Sequence, residues 1–392
     1  MFSRIKVLLI IGFCALIFVS TRLLVSRSSL DFRSIPLTSY LSDTDTNFNS
    51  MPPASPAPTR AKAAIVALVR NSDLKGMRST VRQIEDRFNH KFNYPYIFLN
   101  DQPFTDEFKH GISFVTNSEV RYGTLNASDW NLPDHMDPAK VELALEKNKH
   151  RYIYGGSLSY RFMCRFQSGL FFDHPLLQDL EYYWRIEPDV DYYCDIDYDP
   201  FLFMKENGYR YGFTIAPLEW KKTVETLWPT TLRWIQQNPH HLPDKSMIDW
   251  VVDNNGDYNM CHFWSNFEIV DLSLYRSEAY RSYFDYLDKS GGFFYERWGD
   301  APVHSIAASM FLSRDEIHWF EDIGYNHPGN MHCPRPQELN LRCICDSTKS
   351  YTYRSHCQRR FAEVKDISKF DALQKVHARL GLSPPPPPPP YQ

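Results

Sequence analysis

The 392-residue sequence contains no G-x-G-x-x-G and no P-loop. It therefore lacks the two glycine-rich phosphate cradles most readily recognised in a sequence. No segment repeats at a fixed period, which excludes solenoids and propellers. A basic excess is missing as well: 43 Lys and Arg stand against 47 Asp and Glu, a net charge of −4. A nucleic-acid partner would call for a basic face, and none is implied. The eight cysteines show no paired C-x-x-C spacing, so no common zinc module is present. No apolar run reaches the ~20 residues of an average membrane span.

What the chain does have begins at its N-terminus. Arg4 and Lys6 precede an apolar run from Val7 to Val19, which Leu23, Leu24 and Val25 extend if Arg22 snorkels. The run has the length of a signal-peptide core, but no small-x-small cleavage pattern follows promptly. The expectation is a signal-anchor transmembrane helix over 7–25, with residues 1–6 as a cytosolic tail. The short span suits thinner secretory membranes, so we expect a single-pass type II protein of the Golgi or ER. Residues 26–60, rich in Ser, Thr, Pro and Asp, read as a flexible stem. Residues 61–375 form the expected lumenal domain, and residues 376–392 a tail ending in seven consecutive prolines. Apart from Cys14 in the anchor, seven cysteines remain. An oxidising lumen allows up to three disulfides and leaves one thiol over. Asn126-Ala127-Ser128 is a glycosylation sequon.

Strand-like and helix-like stretches alternate. Strands are expected at Ala63–Val69, Tyr94–Leu99, Ile112–Val115, Glu181–Ile186, Tyr211–Ile215 and Cys261–Ile269. Helices are expected at Asp73–Phe88, Ser157–Phe172, Thr223–Gln237 with a break at Pro229, Ser273–Leu287 and Val303–Leu312. This order implies an α/β fold, with a mostly parallel sheet covered by helices on both faces.

The chemistry concentrates in Y-Y-W-R-I-E-P-D-V-D-Y-Y-C-D-I-D-Y-D-P-F, where an apolar run ends in six carboxylates: Glu187, Asp189, Asp191, Asp195, Asp197 and Asp199. Acids at a strand's C-terminal edge suit a divalent metal and a nucleotide diphosphate. Acid runs also occur as solvated loops. Arg161 and Arg165 share a helix face; they suit a diphosphate or pair with the acidic strand. Glu268 lies in the aromatic run H-F-W-S-N-F-E-I. It suits an oxocarbenium-stabilising or nucleophilic role, or a salt bridge. Asp300, just before Pro302, either caps a helix or accepts from a sugar hydroxyl. His327, in a turn, is a metal ligand in combination with an acid or a surface histidine.

Taken together, W-R-I-E-P-D-V-D-Y-Y-C-D-I-D-Y-D-P-F, Y-G-G-S-L-S-Y-R-F-M-C-R-F, F-W-S-N-F-E-I, G-G-F-F-Y-E-R-W-G-D-A-P-V-H-S and D-I-G-Y-N-H-P resemble the fungal α-1,2-mannosyltransferases of glycosyltransferase family 15, over about residues 61–360. The resemblance implies a GT-A type fold, GDP-mannose as donor, Mn²⁺, mannose-terminated glycans of glycoproteins as acceptors, and retention of the α configuration. It implies Glu187 and His327 as metal ligands and Glu268 as nucleophile or cation stabiliser. Asp300 and Tyr160 fall at the diphosphate or acceptor side, and Arg161, Arg165 and Arg185 among donor- or acceptor-binding residues. The rival readings are a Mn²⁺-dependent glycosyltransferase with another donor, and a catalytically silent lumenal lectin or scaffold.

Overall fold

A computed structural model describes residues 60–366. The expected anchor and proline tail, and nearly all of the expected stem, lie outside the described residues. Among the described residues, no helix is long and apolar enough to cross a membrane.

Ten strands are described: β1 (Ala63–Leu68), β2 (Tyr96–Asn100), β3 (Val120–Thr124), β4 (Tyr182–Arg185), β5 (Asp191–Tyr192), β6 (Tyr211–Phe213), β7 (Glu268–Asp271), β8 (Ile317–Trp319), β9 (Tyr325–His327) and β10 (Asn330–His332). Seven of them form a sheet in the order β3-β2-β1-β4-β7-β6-β8. Its pairings are parallel except where β7 runs antiparallel to β4 and β6. Strand β1 shows why it sits centrally: Ala64 and Val66 enter the core on one face, and Ala63, Ile65 and Ala67 the core on the other. Only an apolar strand can be buried on both faces. A second sheet, β10-β9-β5, is antiparallel.

Several elements depart from expectation. Ile112–Val115 is not a strand. Thr105 accepts from the Phe108 main-chain N–H and caps a helix over Asp106–Ser113, which buries Phe108 and Ile112. This i, i+4 spacing belongs to a helix face, and the third strand lies further on, at Val120–Thr124. Of the expected Cys261–Ile269 strand only Glu268 and Ile269 are extended in the sheet, in a strand that runs on to Asp271. The aromatic stretch before it is an ordered loop, with the Phe263 N–H donating to Ser305 Oγ and the Trp264 N–H to the Ile215 carbonyl. Pro229 does not break its helix, which starts at Leu227, because a first-turn N–H has no intrahelical partner to lose. The expected Ser273–Leu287 helix divides at Ser277, which caps Glu278–Ser290.

Among the described residues, three disulfides join Cys194–Cys343, Cys261–Cys357 and Cys333–Cys345. Cys164 is left as a free buried thiol, its pKa pushed well up by burial. Asn126 of the sequon is exposed.

Candidate active site

Strands β1, β2 and β4 end side by side. Residues at and beyond their C-terminal ends line a cleft of about 180 Å³: Arg70 after β1, Asn100 and Asp101 at the end of β2, Arg185 and Glu187 from β4. The Leu158–Gly169 helix adds Met163 and Gln167, one turn apart on one face. The carboxyl edge of parallel strands is where open α/β sheets take ligands.

A charge cluster forms the floor. Arg185 is buried; its Nη1 donates to Asp300 Oδ2 at 2.5 Å and its Nη2 to Glu187 Oε1 at 2.6 Å. Ser265 Oγ donates to Asp300 at 2.7 Å. Asp300 is the first residue of the Asp300–Phe311 helix and does not cap it with its side chain. Its carboxylate turns to Arg185 instead, so the capping reading of the sequence does not hold. Burial alone would raise the pKa of Asp300, but Arg185 and His304 outweigh it and hold the carboxyl below its usual range. Glu187 is also lowered: burial opposes ionisation, and Arg185 and His327 overcome it.

The second sheet delivers His327. Strand β9 pairs with β5, Asn326 opposite Asp191, and this places His327 Nε2 3.5 Å from Glu187 Oε2. Nδ1 of His327 has no hydrogen-bond partner among the described residues, and both side chains are partly open to solvent. An ionised carboxylate oxygen and an imidazole nitrogen so placed suit a Mn²⁺-type ion. The remaining acids of the run do other work. Asp191 accepts from Asn326 and Gln83, Asp195 pairs with Arg87, Asp197 pairs with Arg342, and Asp199 caps the Pro200–Glu206 helix. Asp189 is exposed with a left-handed φ of 60°. Among the described residues, the only three-ligand cluster of metal-binding type is Cys194, Cys343 and Cys345, and all three are oxidised in disulfides.

Glu268 stands opposite Arg185 across the β4–β7 pairing, so the two side chains share a sheet face. Yet Glu268 has no exposed surface and does not line the cleft. Its oxygens accept from Tyr183, Tyr211 at 2.7 Å and Tyr275 at 3.4 Å. His304 closes the cage: Nε2 bonds the Gln167 carbonyl oxygen at 2.9 Å, and Nδ1 faces Glu268 at 3.1 Å.

Two expected donor-binding arginines are otherwise engaged. Arg161 is buried and donates to the carbonyls of Tyr154, Gly155, Ser157, Phe294 and Glu296. Arg165 makes a two-pronged buried pair with Asp288 at 2.8 and 2.9 Å. Neither guanidinium faces the cleft. Arg70 does, bonded to Ser159 Oγ at 2.7 Å. Tyr160 stacks on Tyr154 with ring centres 4.4 Å apart. Asn100 and Asp101 escaped the sequence reading; their place directly after an apolar strand was the available signal.

A mixed α/β sheet with a carboxylate–histidine pair at its carboxyl edge has the layout of an α/β protein that binds its ligand there. Residues 35–366 match the family described as glycolipid 2-alpha-mannosyltransferase, and the chain belongs to that family: it is a glycosyltransferase. Alpha-1,2 mannosyltransferase KTR1 of Saccharomyces cerevisiae is 49% identical over 315 residues, covering 79% of this chain and 80% of that protein. The mannosyltransferase Ktr4p of S. cerevisiae, solved in complex with GDP, matches with a TM-score of 0.75 and 41% identity over 80% of this chain and 84% of its own. Core-mannan synthase A of Aspergillus fumigatus, solved in a Mn/GDP form, matches with a TM-score of 0.73 and 38% identity over 84% of this chain and 88% of its own.

Proposed function

We propose that the chain is a retaining α-1,2-mannosyltransferase that takes mannose from GDP-mannose and adds it to a mannose-terminated glycan of a glycoprotein. The observation that carries this reading is the cluster Arg185–Glu187–Asp300 with His327, set at the carboxyl edge of the sheet. The GDP-bound and Mn/GDP-bound relatives of the same fold support a GDP-linked donor and Mn²⁺ for this chain.

Glu187 and His327 would hold the ion, which when bound would supply positive charge for the departing diphosphate. Arg70 faces the cleft and shares that charge. In the reaction, the bond from the anomeric carbon to the diphosphate oxygen breaks with its electron pair. The acceptor hydroxyl oxygen bonds the same carbon, and its proton passes to the departing diphosphate. Asp300, ionised and bonded to Arg185 and Ser265, is buried behind the cleft lining and fixes Arg185 beside Glu187 as a positioning residue.

Glu268 is sealed from the cleft by three tyrosines and His304. This supports the same-face route, with Glu268 a positioning residue behind Arg185, over a covalent mannosyl-Glu268. A membrane-anchored lumenal location is part of the proposal; three disulfides among the described residues and the apolar N-terminal run support it.

The test is transfer of labelled mannose from GDP-mannose to methyl-α-mannoside, with Mn²⁺ and then with EDTA. A metal-dependent α-1,2-linked disaccharide is expected. Equal transfer from a panel of other nucleotide sugars, or binding of mannosides with no turnover on any acceptor, refutes the reading.

A further inference from the structure

A metal-bound histidine usually donates its second ring N–H to an oxygen, which fixes the ring. Nδ1 of His327 has no such partner among the described residues. The ring lies instead beside Trp264, with ring centres 4.6 Å apart. Its place is therefore set mainly through the backbone of β9. That strand has three residues and leans on β5, which has two. Among the described residues, no further strand covers the outer edge of β5. So short a ladder is weak by itself, and something else must hold it in place.

The Leu74–Ile84 helix does so. Gly76, Thr80 and Gln83 recur at steps of four and three residues and form one stripe of it. At Gly76 the turn after β4 lies directly on the helix: a Cβ there would fall 2.5 Å from Asp189 Oδ1. Thr80 is fully buried. Its hydroxyl is shared between two carbonyl oxygens, that of Glu187 at 3.0 Å and that of Val190 at 3.4 Å. Gln83 covers the open edge of β5, its Oε1 accepting from the Tyr192 main-chain N–H at 2.9 Å. Its Nε2 donates to Asp191 Oδ1 at 3.3 Å, and Asp191 Oδ2 accepts from Asn326 Nδ2 at 2.9 Å. Asn326 directly precedes His327. One helix thus reaches Glu187 through Thr80, and His327 through Gln83, Asp191 and Asn326.

We propose that Thr80, Gln83 and Asp191 are positioning residues that set the gap between Glu187 and His327, and with it the affinity for Mn²⁺. A buried hydroxyl spent on the carbonyl of a ligand residue, and a side-chain amide completing the strand next to the other ligand, fix both sides of that gap from one rigid element. This rests on the assignment of Glu187 and His327 to the ion.

The test measures the Kd for Mn²⁺ by titration calorimetry on the full-length protein with GDP present. Thr80→Val keeps the side chain's shape and loses the hydroxyl. Gln83→Met keeps its length and loses the amide. Each should raise the Kd about tenfold, the lower end of what supporting residues cost a metal site. The loss in mannosyl transfer should fall on KM for Mn²⁺ more than on kcat. Thr80→Ser restores the hydroxyl and should recover most of the affinity. Gln83 is only partly buried, so its variant reports even where Thr80→Val lowers stability. A double-mutant cycle separates positioning from general loosening. Thr80→Val should cost much less affinity in a His327→Ala background, where the gap has lost one side, than in the natural protein. Equal losses in both backgrounds overturn the proposal. So does an unchanged Kd in Thr80→Val and Gln83→Met while Glu187→Gln weakens binding, a result that leaves the metal assignment standing. Unchanged binding in Glu187→Gln and His327→Ala overturns both.

Discussion

Replacing Arg185 by Met removes the charge from the centre of the floor while nearly conserving the side chain's bulk. The side chains of Arg185 and Asp300 are 5% and 7% exposed. Without Arg185, Asp300 keeps Ser265 Oγ and the first turn of its helix as partners. Breaking a buried pair from one side costs about 3–5 kcal/mol, and the helix N-terminus returns about 0.3–1 kcal/mol of it. A loss near 3 kcal/mol is therefore expected at pH 7.5, about 6–12 °C in Tm at roughly 2–4 °C per kcal/mol. The pH dependence carries the sharper test. In the natural protein the folded pKa of Asp300 is lowered, so its stabilisation is present above the unfolded value and lost as pH falls through the folded one. With Arg185 gone, burial dominates and the folded pKa moves above the unfolded value. The penalty is then complete above that raised pKa and fades as pH falls, by about 1.4 kcal/mol per unit. Thermal unfolding of both proteins at pH 7.5 and pH 5 measures it. The gap in Tm should narrow at pH 5. A gap that stays constant, or one below about 2 °C at pH 7.5, refutes the assignment of Asp300 as a buried carboxylate held ionised by Arg185.

Glu187→Gln and His327→Ala should each weaken Mn²⁺ binding, read by titration calorimetry, and cut mannosyl transfer by at least about tenfold; unchanged binding in both would remove the metal from this site. Glu268→Ala should lose activity that azide does not restore, and intact-mass spectrometry of the natural enzyme with GDP-mannose should show no mannosyl adduct; an adduct on Glu268 would establish the covalent route. Arg161→Lys should lower Tm while the folded protein keeps its Kd for GDP, whereas Arg70→Ala should raise that Kd about tenfold for a lost charge-assisted contact. The reverse pattern would return the donor-binding role to Arg161.

Legibility from sequence followed the range of the interactions. β1 could be read because five adjacent residues are buried on both faces, and Glu187 because an apolar strand stops at it. The fate of Arg165 could not: its partner Asp288 is 123 residues away, and nothing local distinguishes it from a phosphate ligand. Glu268 looked costly to bury among Phe and Trp. The structure meets that cost with hydroxyls from β4, β6 and the short Ser273–Arg276 helix, and with His304 from the Asp300–Phe311 helix. The Asp106–Ser113 helix is hidden from a four-residue window at Ile112–Val115, because its helical phase shows only when Phe108 is included.

The two proposed metal ligands belong to different sheets. Glu187 follows β4 of the large sheet, whereas His327 ends β9 of the small one. The small sheet is fastened by Cys194–Cys343, just past β5, and by Cys333–Cys345, just past β10. On the proposed assignment, ion affinity would depend on these two disulfides as well as on the strand that carries Glu187. A chain folded with those four sulfurs reduced would still carry Glu187 on its strand but would grip His327 loosely. Manganese uptake by freshly made protein would then serve as a clock for oxidative assembly, starting when the second sheet locks down.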